Sequence, residues 1–235
     1  MAMRTVTLDG PGKNALSTRM MHFILETLDE AGDEPLLFTG AGDSFSAGLD
    51  LKELLDLDAA GIERFLQTLE EMVAALFHYP GPTVAAVNGH AIAGGCVVAL
   101  CCDLRVGVAD PRVKIGLNEV ALGLRFPPVT LRMVRHRVPE RFHREVILGA
   151  QLVDAGEAAR QGLLDEVSED CVGRGREWLE RLAAHPRDVY AAAKRDLLRG
   201  VLDVSEAERR RFVQEVLPVW ASDATRSRIA RALRR

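Results

Sequence analysis

Gly94-Gly95 and Gly48 each stand at the expected start of a helix, and Glu119 stands farther on in an apolar context. First-turn N–H groups have no acceptor inside their own helix, and a missing Cβ lets a ligand approach the backbone, so each glycine site can hold a negative oxygen. The run TVAAVNGHAIAGG reads as strand, turn and helix start, ending at Gly94-Gly95, and SAGLDLK repeats that order around Gly48 and Asp50. Small residues also serve close packing of helix on strand. Two helix starts, however, can each aim one N–H at the same oxygen. That is the requirement of an oxyanion hole, where losing one donor typically costs about 3 to 4 kcal/mol of barrier. Most glutamates are surface residues, but Glu119 precedes Val120, Ala121 and Leu122. Partial burial there would raise its pKa and suit it to proton transfer. An anion cradle with a lone carboxylate predicts enolate chemistry.

Other chemistries find less support. There is no G-x-x-x-x-G-K-[ST], no G-x-G-x-x-G after a strand and no G-x-S-x-G, which argues against kinase-like, Rossmann and serine-hydrolase readings. The six histidines lack ligand spacing. His90 alone lies near the cradle, as a residue lining the loop, and no metal is assigned. Lys52 falls one helical turn after Gly48, where a phosphate could be reached. The arginines between Arg125 and Arg144 read as a solvated face, with phosphate or RNA contact the minority reading. A formal charge of −4 gives no global bias towards nucleic acid or membrane.

The elements that must position these groups alternate. A strand from Arg4 to Leu8 is followed by turn residues and a helix capped by Ser17, with Met21, Ile24, Leu25 and Leu28 on one face. Leu36 to Gly40 reads as a buried strand, AGDSFSAG as a glycine-rich loop and LDLKELL as a helix. A helix from Ile62 to Tyr79, stopped by Pro80 and Pro82, leads into the strand at Thr83. This pattern predicts an α/β protein of stacked βα units, although no exact sequence period is present. Helical spacing broken by Pro127, Pro128 and Pro139 follows Glu119, and a short helix, a stop at Gly162 and a final strand come next. From about Arg174 the pattern is helical. Its stripe of Phe212, Val216, Val219 and Trp220 is too apolar for a solvated tail and predicts docking on the core or on another subunit.

Four cysteines without C-x-x-C spacing, three of them in one apolar segment, read as small hydrophobes. The first residues, MAMRTVTLDG, lack the features of a signal or transit peptide, and no apolar run approaches the roughly 20 residues of a membrane span. A cytoplasmic location is the expectation.

The segments NALS (14–17), FSAGLDLKEL (45–54), AAVNGHAIAGGCVVALCCDLRV (85–106) and IGLNEVALGL (115–124), in this order and spacing, resemble the crotonase superfamily of enoyl-CoA hydratases and isomerases. AGEAARQGLLDEV and Trp220-Ala221-Ser222 fit as well, so the resemblance covers nearly the whole chain. It implies a crotonase-type spiral of ββα units over residues 1–173 and a helical region over 174–235 that assembles a homotrimer or a dimer of trimers. It also implies an acyl-CoA thioester as substrate, with coenzyme A part of that substrate and no separate cofactor. Leu49 and Gly94 match the oxyanion donors, and Ala47 and Lys52 match contacts to the adenine and phosphate parts of CoA. Gly48, Asp50, Gly95, His90 and Phe126 are expected around the substrate.

Two departures narrow the reading. The hydratases of the family carry a first catalytic glutamate where this chain has Val97, and their second is matched by Glu119. One carboxylate disfavours hydration, which the family divides between two. It suffices for moving a double bond from the 3 to the 2 position, and the motifs look most like the mitochondrial-type Δ3-Δ2-enoyl-CoA isomerase. After Gly123 many relatives carry a glycine-rich turn, whereas Arg125-Phe126-Pro127-Pro128-Val129 stands here and reshapes the expected acyl pocket.

Overall fold

The computed structural model describes residues 3–234. Five parallel strands, β1 (Arg4–Leu8), β2 (Leu36–Gly40), β4 (Thr83–Val87), β6 (Leu104–Val108) and β8 (Glu166–Ser168), form one sheet in the order β1-β2-β4-β6-β8. Three very short ones, β3 (Ser44–Ser46), β5 (His90–Ile92) and β7 (Ile115–Gly116), form a second parallel sheet in the order β3-β5-β7. The chain therefore coils: a long strand, a corner, a short strand and a return segment make each of the middle turns.

The short strands are where the fold departs from the pattern read above. The loop expected at 41–48 contains β3, and the turn at Asn88-Gly89 leads straight into β5. Two or three residues cannot display an alternating apolar pattern, and these strands owe their existence to stacking on the turn beneath.

The corners are held by amides and by bare backbone. Asn88 accepts from Gly40 N–H at 2.9 Å and donates to the carbonyls of Gly40 and Gly42 at 2.9 and 3.1 Å. Buried Asn14 donates in the same way to the carbonyls of Ala41 and Ser44 at 2.9 and 2.8 Å. A Cβ on Gly89 would lie 2.1 Å from Asp43 O, so only glycine lets these two corners touch.

Two apolar layers flank the larger sheet. On one side Leu36, Phe38, Ala85 and Val87 join the main core with the helices Thr18–Ala31 and Ala59–Phe77. Ser17 and Asp58 cap those helices, accepting from the N–H groups of Met20 and Gly61. On the other side Leu37, Val84 and Ala86 pack under Leu179 of the helix Cys171–Ala183. Period-two alternation along each strand divides the two layers. The boundary expected between residues 173 and 174 falls inside that covering helix.

The C-terminal helices dock on the chain's own core. From the helix Arg187–Leu197, Lys194 Nζ donates to Asp103 Oδ2 at 2.9 Å and to Gly81 O at 3.1 Å, and Tyr190 donates to the same carboxylate at 2.9 Å. The next segment, Glu206–Trp220, changes from α to π winding at Phe212–Val216, which brings Phe212, Val216 and Trp220 to the core side. Trp220 Nε1 donates to Arg125 O at 2.9 Å. Among the described residues, no helix is long and apolar enough to cross a membrane, and no group of His, Cys, Asp or Glu could hold a metal.

Candidate active site

Leu49 is set by a single parallel bridge to Leu16. Leu16 N–H donates to Gly48 O at 2.7 Å and Asp50 N–H donates to Leu16 O at 3.1 Å, which uses the flanking residues and leaves the N–H of Leu49 unengaged. Gly48 holds φ +92°, a conformation that suits glycine. Gly94 begins the helix Gly94–Cys101, so its N–H has no acceptor within the helix. The residue before it, Ala93, sits at φ 47° and ψ −117°, an uncommon conformation for a residue with a Cβ, and it sets the direction of the Gly94 peptide. Neither N–H donates to a backbone carbonyl among the described residues.

The two donors lie side by side. A Cβ on Gly94 would stand 3.3 Å from Leu49 N, and one on Gly48 would stand 3.3 Å from Gly94 N. Gly95 serves a different purpose. Its absent Cβ would meet Ser46 O at 2.3 Å, so Gly95 lets the helix rest on β3.

Glu119 follows β7 on a tight turn in which Leu124 N–H donates to Glu119 O at 2.8 Å. Its side chain is buried, and Oε2 has neither solvent nor a hydrogen-bond partner. Burial pushes its pKa up to about 7, against a smaller opposing effect of its own backbone N–H. The carboxyl lines a cavity of about 110 Å³ together with Ala47, Leu49, Ala93, Asn118 and Ala232. It is the only ionisable side chain in that lining, and Val97, where the resemblance implies a glutamate in hydratases, is buried among apolar residues of the helix. A preorganised donor pair and a buried carboxyl with a raised pKa can together take a proton from carbon beside a carbonyl and hold the resulting charge.

The family described as enoyl-CoA hydratase/isomerase matches residues 2–226. This chain belongs to that family. The structure of human mitochondrial Δ3-Δ2-enoyl-CoA isomerase superposes with a TM-score of 0.89 at 25% identity, over 98% of this chain and 92% of that one, so the spiral is of the crotonase type. A Mycobacterium tuberculosis relative, "Probable enoyl-CoA hydratase EchA17", is 31% identical over 223 residues, 88% of this chain and 82% of its own. A Thermus thermophilus relative, named for enoyl-CoA hydratase, is 36% identical over 167 residues, and the match spans 68% of this chain and 65% of that protein.

Within this family site the remaining expected residues fall in several places. Ala47 lines the cavity. Asp50 caps the helix Leu51–Asp56, accepting from the N–H groups of Lys52 and Glu53 at 3.0 and 3.2 Å, and Lys52 is exposed on its first turn. His90 lies on β5, outside the lining, where Nδ1 accepts from Lys114 N–H at 2.9 Å. Phe126 is likewise outside it, in a separate cleft of about 340 Å³ with Arg132, Glu208 and Phe212. Asn118, Leu122, Leu124 and Ala232 line the cavity without having been singled out from the sequence. Asn118 had a signal, being a polar residue beside Glu119; Ala232 had none, since only the folded tail brings it there.

Proposed function

We propose that the protein is an enoyl-CoA isomerase that shifts the double bond of a 3-enoyl-CoA to the conjugated 2 position. Glu119 takes the C2 proton, and the thioester oxygen of the dienolate rests against the N–H groups of Leu49 and Gly94. The same carboxyl then returns the proton to C4. One titratable group suffices because the substrate loses and regains one proton, and a pKa near neutrality lets that group act in both directions. The observation that supports this reading is Glu119 as the sole ionisable group lining a cavity that Leu49 also lines, with the unpaired N–H of Gly94 next to that of Leu49. Lys52, exposed on the first turn of the helix after Leu49, would meet a CoA phosphate in this reading.

The test is to supply a 3-enoyl-CoA and follow conjugation of its double bond with the thioester. The wild-type protein is expected to turn over, and Glu119→Gln to lose on the order of a hundredfold or more in kcat while folding intact. Normal turnover by that variant would sink the proposal.

A further inference from the structure

The turn that carries Glu119 also carries part of the cavity wall. Leu122 and Leu124 line the same cavity as the carboxyl, and the N–H groups of both donate to Glu119 O, at 3.0 and 2.8 Å. Gly123 between them holds φ +72°, and its N–H donates to Val120 O at 3.0 Å. Arg228 lies against that glycine, so close that a Cβ there would meet Nη1 at 2.5 Å. Carboxyl and wall therefore form one tight unit. The cavity cannot deepen along this turn without breaking hydrogen bonds to Glu119 itself.

The space is small. An apolar cavity of about 150 Å³ accommodates a benzene ring, so one of about 110 Å³ has room for about four carbons. In the isomerase reading C1 lies at the N–H groups of Leu49 and Gly94 and C2 beside Glu119, so those carbons are C2 to C5. The lining also lacks a cation. Glu119 is its only ionisable side chain and Asn118 its only other polar one; the rest, including Leu51, Ile92 and Ala232, is hydrocarbon. A chain ending in a carboxylate would set its charge against Glu119 with nothing in the lining to offset it.

Resting on the isomerase reading of this site, we propose that Leu122 and Leu124 act as a stop for the acyl chain, so that the substrate is a short, uncharged 3-enoyl-CoA of about six carbons at most. Because base and stop share one turn, chain length is measured from the reacting carbon itself. A longer chain must displace the wall or leave the cavity, and either costs the seating of C2 against Glu119. One methylene too many in an apolar pocket typically costs about tenfold or more.

The experiment measures kcat/KM for conjugation of the double bond in but-3-enoyl-, hex-3-enoyl-, oct-3-enoyl- and dec-3-enoyl-CoA, and in the hex-3-enoyl thioester whose far end is a carboxylate. For wild type, kcat/KM is expected to fall about tenfold or more from hex-3-enoyl- to oct-3-enoyl-CoA. The carboxylate-ended thioester is expected to lie on the order of a hundredfold below its uncharged counterpart. Leu124→Ala, which removes an isopropyl group from the stop, is expected to bring oct-3-enoyl-CoA close to the wild-type value for hex-3-enoyl-CoA. Ala232→Leu works in the opposite sense and is expected to lower hex-3-enoyl- relative to but-3-enoyl-CoA about tenfold. Ala232 is half-buried on the C-terminal helix, so this variant reads the cavity without opening the core. A level profile in wild type, or one that both variants leave unchanged, overturns the stop while the proposed function stands. The chain would then leave the cavity over exposed Val120 and Leu233, the sequence neighbours of Glu119 and Ala232. Equal turnover of the carboxylate-ended thioester overturns the exclusion of charge. No turnover at any length overturns this inference and the proposed function together.

Discussion

At the scale of single residues, the role proposed for Glu119 links catalysis to stability. Its carboxyl must be ionised to accept a proton, so kcat/KM for isomerisation is expected to rise with pH through about 7, where burial has moved its pKa. Stability runs the other way. The folded state holds this proton more tightly than the unfolded chain, whose carboxyl titrates near 4.5. Between those values the cost of a buried charge grows with pH, and above them it is complete. Relative to Glu119→Gln, which does not titrate, wild type is expected to lose about 3 kcal/mol between pH 4.5 and pH 7, read by urea denaturation across that range. A flat difference would refute the burial account. Glu119 and the glycines were legible as chemistry because their types are informative: a carboxylate in an apolar run and paired glycines at a helix start. The unengaged N–H of Leu49 was visible only through family resemblance, because it depends on a bridge to Leu16 that no local pattern announces.

Elements decide how that chemistry is enclosed. The helix Asp223–Ala232 carries Ala232 to the cavity wall and is fastened at its first turns, where Arg226 donates to Leu55 O at 2.7 Å and also to Leu57 O. Those carbonyls close the helix that follows the donor Leu49. Arg228 lies against Gly123, beyond Glu119, where a Cβ would meet Nη1 at 2.5 Å. One helix thus spans both halves of the site. Arg226→Ala removes hydrogen bonds from a charged donor, and a loss of about 2 kcal/mol in stability is expected. The loosened wall should also raise kcat/KM for long-chain relative to short-chain 3-enoyl-CoA, measured over a chain-length series. A uniform change at every length would show that the fastening does not shape the pocket. Periodicity revealed the long helices and long strands, because a dozen residues of helix or five of buried strand leave a pattern. The second sheet left none, and neither did the π-wound turn at Phe212–Val216, whose buried residues are Phe212 and Val216.

For the whole molecule, the join between spiral and C-terminal helices rests on charge as well as on packing. Lys194 is buried, its pKa pushed down by burial and held up by Asp103, and that carboxylate also receives Thr83 N–H at 2.9 Å. Removing the ammonium leaves a partly buried carboxylate short of its main partner. Lys194→Ala is expected to cost about 3 kcal/mol, seen as a lower urea midpoint with an unchanged m-value. An unaltered midpoint would mean that Tyr190, together with Arg137 whose Nη2 lies 3.8 Å from Asp103 Oδ1, suffices.

The order of strands in the larger sheet has a consequence in time. Since β1, β2, β4, β6 and β8 neighbour one another in the order of their synthesis, each turn emerges onto a surface already made and needs no later strand to receive it. The cavity does not share that schedule. Its lining comes from two turns through Leu49 and Ala93, from the next through Glu119, and from the far C-terminal helix through Ala232, so a growing chain acquires shape well before it acquires this cavity.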